Sequence, residues 1–157
     1  TVIVQYNKFE FNQAQYGPYP ASVGAFAGSG LRVTDEEAPI TVLLPRDSLL
    51  WFPNEIGPSV WEGWKQERGL YFLGEKDSRY RDLVRLADPF PNNPGDKLGA
   101  LVAASYGKGT WVYCGLNLWR QLPAGVDGAY LLMANLISAG RAGKPPTPAA
   151  TPASGTR

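Results

Sequence analysis

Residues 101–140, LVAASYGKGTWVYCGLNLWRQLPAGVDGAYLLMANLISAG, limit what this chain can fold into more than any other stretch. Leu101-Val102-Ala103-Ala104 is a short apolar run, and Trp111-Val112-Tyr113-Cys114 is rich in β-branched and aromatic residues. Both read as strands. Between them, Tyr106-Gly107-Lys108-Gly109 carries the glycines of a hairpin loop, where a positive φ costs little. Pro123 and Gly125 then punctuate a short loop, and Asp127 is placed to cap a helix. Tyr130, Met133, Ala134 and Ile137 recur at helical spacing. Leu131, Leu132 and Leu136 fill much of the remaining circumference, which predicts a largely buried helix stopped at Gly140.

The rest of the chain is less regular. Val2-Ile3-Val4 is too short and too continuously apolar for a half-exposed strand and predicts a buried one, of the kind found in parallel sheets. Alternating aromatic and polar residues from Tyr6 to Phe11 carry that strand onward. Tyr16 to Gly30 is a long loop by composition. The acidic turn Thr34-Asp35-Glu36-Glu37 precedes a strand at Ile40-Thr41-Val42-Leu43-Leu44. Ser59-Val60-Trp61-Glu62, after Pro58, fits a capping box, predicting a short helix that Gly69 ends. Leu70-Tyr71-Phe72-Leu73 reads as the next strand. Arg79 to Leu86 fits helix and strand equally, and Asp88 to Lys97 reads as a connection into the hairpin. The tail from Lys144 to Arg157, built of Ala, Pro, Thr, Gly and Ser with a basic residue at each end, lacks side chains to bury and should be extended or disordered unless another surface holds it.

Three strings carry a resemblance: Tyr106-Gly107-Lys108-Gly109-Thr110-Trp111-Val112-Tyr113, Arg120-Gln121-Leu122-Pro123-Ala124-Gly125-Val126, and Gly128-Ala129-Tyr130. Trp61-Glu62-Gly63-Trp64-Lys65-Gln66-Glu67-Arg68-Gly69-Leu70-Tyr71-Phe72 and the stretch from Val2 to Phe11 agree with them. Together they resemble the carboxy-terminal part of large bacterial PIG-L family proteins. There a zinc-dependent LmbE-like N-deacetylase domain is followed by a domain similar to class I glutamine amidotransferases and ThuA-like folds. The resemblance implies an α/β class: a partial, strand-rich amidotransferase-like domain over residues 1–141. Its doubly wound sheet would be incomplete, with long loops and a carboxy-terminal hairpin followed by one buried helix. Residues 142–157 form the Pro/Ala/Thr-rich tail. In the resembled fold further β-α units precede the strand matching Val2-Ile3-Val4, and this chain opens on Thr1 rather than Met. Removal of an upstream segment, by processing or by cloning, and a partner covering that strand are therefore expected. The resembled proteins are commonly exported, which implies a periplasmic or extracytoplasmic site.

Composition bounds the chemistry. The chain has no histidine, which removes the usual general base, the commonest zinc ligand and every Ser-His or Cys-His pairing. An amidotransferase would need a cysteine at a strand-to-helix elbow, whereas Cys114 lies inside the strand after the hairpin and reads as a small buried side chain. Lys108 lacks the glycine spacing of a phosphate-binding loop and reads as a solvated hairpin tip. An amino-terminal Thr1 can in principle act as its own nucleophile and base, but a cleaved terminus is the simpler reading. Asp35, Glu36 and Glu37 read as a solvated turn, and Glu62 and Glu67 as a cap and a helix-face charge. Neither set has calcium-loop spacing. A net charge of +1 gives no general attraction to nucleic acid. No run approaches the ~18 apolar residues of a membrane span.

Two functional readings follow. The first is a non-catalytic structural or docking module, an accessory domain attached to a larger extracytoplasmic assembly, without cofactor or metal. A partner protein, itself free to be membrane-bound, is expected. The second is a carbohydrate-binding or vestigial hydrolase domain, motivated by five tryptophans whose flat rings can stack on sugars. Trp61 and Trp64 have ordinary core spacing, so core or interface is preferred for them. Arg120 beside Gln121 lies among Leu118, Trp119, Leu122 and Pro123 and is expected to meet loop carbonyls or a carboxylate. The candidate interaction residues are Val2, Ile3, Val4, Trp61, Trp64, Tyr106, Arg120 and Gln121.

Overall fold

A computed structural model of the chain describes residues 1–5, 10–24, 31–91 and 93–141. Its elements in order are β1 (Val2–Gln5), α1 (Glu10–Ala14), β2 (Ala21–Val23), β3 (Ile40–Val42), α2 (Ser48–Trp51) and a 3-10 turn (Pro58–Trp61). There follow β4 (Leu73–Lys76), β5 (Arg81–Asp82), β6 (Val84–Ala87), β7 (Asp96–Lys97), β8 (Leu101–Tyr106), β9 (Gly109–Cys114), α3 (Leu118–Gln121) and α4 (Asp127–Ile137). The fold is mixed α/β and strand-rich, with several sheets and few helices. The main sheet has the order β1-β9-β8-β5; β2-β4 and β3-β6-β7 form two smaller sheets.

The hairpin is the centre of the molecule. β8 and β9 pair from Leu101↔Cys114 to Tyr106↔Gly109 around a two-residue loop, and Gly107 takes φ +55° at its first position. That is the conformation a two-residue hairpin asks of its first central residue. Side chains alternate between two cores. Leu101, Ala103, Val112 and Cys114 face a large cluster with α4 and the Val60–Trp64 segment. Val102, Ala104, Trp111 and Tyr113 face an aromatic cluster with Phe11, Tyr71 and Tyr80. Because both faces are covered, the strands read as continuous apolar runs rather than alternating ones.

Helix α4 is less buried than expected. Its buried stripe is Gly128, Ala129, Leu132, Asn135 and Leu136, while Tyr130 and Ile137 are 52% and 63% exposed. Close approach decides this. A Cβ at Gly128 would lie 1.9 Å from the Val60 carbonyl oxygen, so the glycine face alone can press against the 3-10 turn. Asp127 does not cap; Val126 holds the cap position without a side-chain bond, and Asp127 occupies the first turn, where its charge suits the helix dipole. Gly140 takes φ +83° beyond the helix end.

Several local expectations are corrected. The capping box at Ser59 is absent: Pro58 opens a single 3-10 turn with Gly57 as its unbonded cap, and Gly63 at φ +67° follows it. The strand expected at Leu70–Leu73 begins only at Leu73, because Tyr71 sits at φ +59°, outside the strand region. Its carbonyl accepts the buried Tyr113 hydroxyl. The strand expected at Ile40–Leu44 ends at Val42. Arg79–Leu86 resolves as strand, since β5 pairs with β8 and β6 with β3. Within the expected loops, Ala21–Val23 pairs with β4 and Asp96–Lys97 with β6. Phe11 belongs to α1 and not to an extended β1. Residues 6–9, 25–30 and the tail 142–157 lie outside the described residues.

Strand β1 is parallel to β9, with Val2↔Trp111 through Gln5↔Cys114 in register. The strand is less buried than expected. Val2 is 56% exposed; Ile3 is half-buried against the α4 side and Val4 against the aromatic side. Among the described residues β1 has a strand neighbour on one side only.

If the approach of α4 sets the core, Gly128→Ala should destabilise the fold by about 1–3 kcal/mol through overpacking. Gly57→Ala, whose Cβ meets nothing within 4 Å, should change stability by less than about 0.5 kcal/mol. Urea unfolding followed by tryptophan fluorescence checks both.

Candidate functional site

Arg68 organises the most elaborate polar site. Its side chain reaches the core because Gly69 bridges to both Val33 and Leu116, fixing the preceding backbone. Only 4% exposed, it donates from Nε to the Ala38 carbonyl at 2.9 Å and from Nη1 to the Trp61 carbonyl. Its guanidinium lies 5.6 Å from the Trp64 ring centroid. Burial lowers its pKa, against the opposite pull of Asp35, Glu36 and Glu37. No carboxylate among the described residues forms an ion pair with it.

The segment around Arg68 is clamped from the other side by α3. Gln121, fully buried, accepts the Lys65 N–H at 2.8 Å and donates to the Lys65 carbonyl at 2.9 Å. Asn117 donates its backbone N–H to the Arg68 carbonyl at 2.9 Å and its side-chain amide to Glu67 at 3.1 Å. Asn135 does the same for a neighbouring loop, donating to the Leu49 and Asn54 carbonyls and accepting the Asn54 N–H. Each of these buried amides replaces ladder bonds that irregular backbone cannot form for itself.

Beside Arg68 opens a cleft of about 470 Å³, lined by Pro39, Ile40, Val42, Pro45, Ile56, Pro58 and Trp61, with Glu62 also in its wall. Arg68 is the only basic residue among the described residues of that lining. The walls are apolar and the charge is concentrated at two points.

The eight expected residues are not gathered in one place. Trp61 and Trp64 are buried, with ring centroids 5.8 Å apart, and Trp64 donates its indole N–H to the Val60 carbonyl at 3.0 Å. They and Gln121 surround the Arg68 segment. Val2, Ile3 and Val4 form the sheet edge, and Tyr106 stands 64% exposed at the hairpin tip, edge-on to Tyr19. Arg120 is a correction: it meets neither a carbonyl nor a carboxylate among the described residues. Its guanidinium lies over Trp119, 4.3 Å from the ring centroid, and its buried Nε finds no acceptor. Of the two neighbours on this one-turn helix, Gln121 takes the core and Arg120, half-buried, lies along Trp119. The organising role expected of Arg120 belongs to Arg68. An arginine immediately before Gly69 and an apolar run was the available signal for it, as was an asparagine on the apolar stripe of α4.

Cys114 is fully buried, and burial pushes its thiol up to about 12. At neutral pH it is protonated and enclosed, hence a poor nucleophile. Among the described residues no three His, Cys, Asp or Glu side chains cluster as metal ligands, and no helix is long and apolar enough to cross a membrane. Compared with known proteins, the chain matches no family model, no curated protein and no solved structure.

Two outcomes follow from this geometry. Arg68→Met should cost about 3 kcal/mol or more, because two buried carbonyls lose their donor, whereas Arg120→Met should cost less than about 1 kcal/mol. Chemical denaturation of both variants measures the difference. For Cys114, the folded state holds its proton to about 12 while the unfolded chain releases it near 9.0. The unfolded state then binds fewer protons across that window, so stability should fall as pH rises through it. The slope should not exceed roughly 1.4 kcal/mol per pH unit. Cys114→Ala should remove that component, which urea midpoints compared across the alkaline range will show.

Proposed function

We propose that this chain is a non-catalytic docking module that extends its main sheet through β1 into a partner protein. The carrying observation is that, among the described residues, β1 is an unguarded edge. The opposite edge, β5, is two residues long and consists of Arg81 and Asp82; β3, an edge of its own sheet, is bracketed by Pro39 and Pro45. Short strands, charge and proline are the usual protections against edge-to-edge pairing. β1 has none of them: it reads Val-Ile-Val-Gln, with Val2 more than half exposed.

Two further features favour a partner there. The Thr1 hydroxyl donates to the Ala139 carbonyl at 2.7 Å, which ties the start of β1 to the end of α4 and so presents the edge in a fixed direction. At the carboxyl end of β1, Gln5 Nε2 is buried without a hydrogen-bond partner. A buried polar atom left unpaired is costly, and a chain added beside β1 offers it one. Because β1 and β9 are parallel, an added parallel strand continues an arrangement whose faces are already covered by helix and aromatic layers. The partial amidotransferase-like sheet implied by the sequence resemblance, and attachment to a larger extracytoplasmic assembly, belong to this reading.

The alternative, carbohydrate binding, retains less support. Trp61, Trp64 and Trp111 are each at most 5% exposed, so a stacking platform would rest on Trp51, half-buried and edge-on to Phe52, and on Trp119, whose ring already carries Arg120.

Photo-crosslinking in the native host tests the docking reading. A crosslinker placed at Val2 should capture one partner, and the same group at Tyr106 should not. Val2→Lys, read with a second crosslinker position at Thr1, should abolish capture while changing stability by less than about 0.5 kcal/mol, because the side chain is mostly solvated. Strong hydrogen-exchange protection of every β1 amide in an isolated monomer, or capture from Tyr106 instead, would overturn it.

A further inference from the structure

We propose that the cleft beside β3 binds a carboxylate carried on a small apolar body, with Arg68 as its counter-ion. The cleft involves no residue of β1, so this site stands independently of the docking edge.

The volume, about 470 Å³, falls within the ~300–1,000 Å³ of small-molecule clefts. Pro39, Ile40, Val42, Pro45, Ile56, Pro58 and Trp61 offer an aliphatic and ring-lined wall, which selects an apolar body. The polar determinant is the guanidinium of a residue only 4% exposed, and buried charges are ordinarily paired. Arg68 spends Nε and Nη1 on two carbonyls, and no hydrogen bond runs from Nη2 to a described residue. Asp35, Glu36 and Glu37 act on it only through space, and Asp35 instead accepts the Glu37 N–H at 2.8 Å. Arg68 thus keeps unspent donors, and a charge met by nearby carboxylates but by no contact ion pair among the described residues, in the wall of an apolar cleft. A planar anion that can accept from a guanidinium fork answers both, and a carboxylate does so best among common groups.

Charge in the wall also restricts the ligand. Glu62 repels a second negative group, so a monocarboxylate is preferred over a dicarboxylate. The carboxylate has two sources, a free organic acid or the carboxyl terminus of a peptide. The edge of β3 is relevant to the second. Leu43 donates its N–H toward Leu83 of the neighbouring chain segment, so by strand alternation the backbone groups of Ile40 and Val42 point away from β6. Pro39 and Pro45 bar a long added strand but leave these two residues open to the last residues of a peptide.

The test titrates isocaproate and isocaproamide into the full chain, with calorimetry and the Trp61 indole NMR signal as readouts. Saturable binding of the acid, at least about tenfold tighter than the amide, is expected from a charge-assisted hydrogen bond. Acetyl-Ala-Ala-Leu with a free or amidated terminus forms the second arm. Tighter binding of the free peptide than of isocaproate assigns the site to peptide termini, and the reverse assigns it to small acids. Arg68→Gln should erase the preference for acid over amide. Since Arg68 also supports the fold, Pro39→Trp provides a second variant: it crowds the mouth from an exposed position and should weaken both ligands without changing the melting temperature. Equal affinity for acid and amide, no saturable binding of the acid, or shifts confined to residues outside the cleft would overturn the proposal.

Discussion

Buried backbone needs hydrogen-bond partners, and this constraint governs the whole structure. The strands are short, and the long segments joining them run through the core as well as over the surface. Their amides and carbonyls cannot all enter ladders. Arg68, Asn117, Gln121 and Asn135 supply what ladders do not, each from a nearly or fully buried side chain. Gln121 bonds both backbone groups of Lys65, a two-point attachment that fixes position and orientation together. Arg68 joins the carbonyls of Ala38 and Trp61, which belong to segments far apart in sequence. These side chains hold the irregular half of the molecule against the regular half, and the cleft is the space their arrangement leaves.

The regular half is governed by the hairpin. With α4 and the Val60–Trp64 segment on one side and the Phe11, Tyr71 and Tyr80 cluster on the other, β8 and β9 are enclosed above and below. Among the described residues both faces are filled, which leaves the edges as the sheet's open sides, and these differ in chemistry: one short and charged, one parallel and apolar. That asymmetry, more than any single residue, supports a docking role. The same enclosure explains Cys114. A thiol in the middle of such a sheet has no route to solvent and no group to stabilise its anion, so it serves packing.

Regular elements were legible wherever a residue's role is local. The hairpin followed from two apolar runs around glycines, since turn geometry depends on a few adjacent residues and Gly107 accepts the positive φ. The existence of α4 followed from its length and periodicity, and the parallel character of β1 from its continuous apolar run. Decisions that depend on distant partners were not legible. Which face of α4 turns inward depends on the fit of Gly128 against the Val60 carbonyl, some 68 positions earlier in the chain. The break at Tyr71 is matched by the Tyr113 hydroxyl reaching its carbonyl, a pairing invisible to local propensity. Arg68 and Arg120 are alike in a sequence window, each a cation beside a polar neighbour and apolar residues. By itself the sequence determined the strand–turn–strand–helix order, the absence of histidine chemistry and the apolar character of β1. Tertiary structure alone decided which arginine is buried, which helix face is covered and where the cleft lies, because burial is settled by contacts between segments and a chain read in order contains no distances between them.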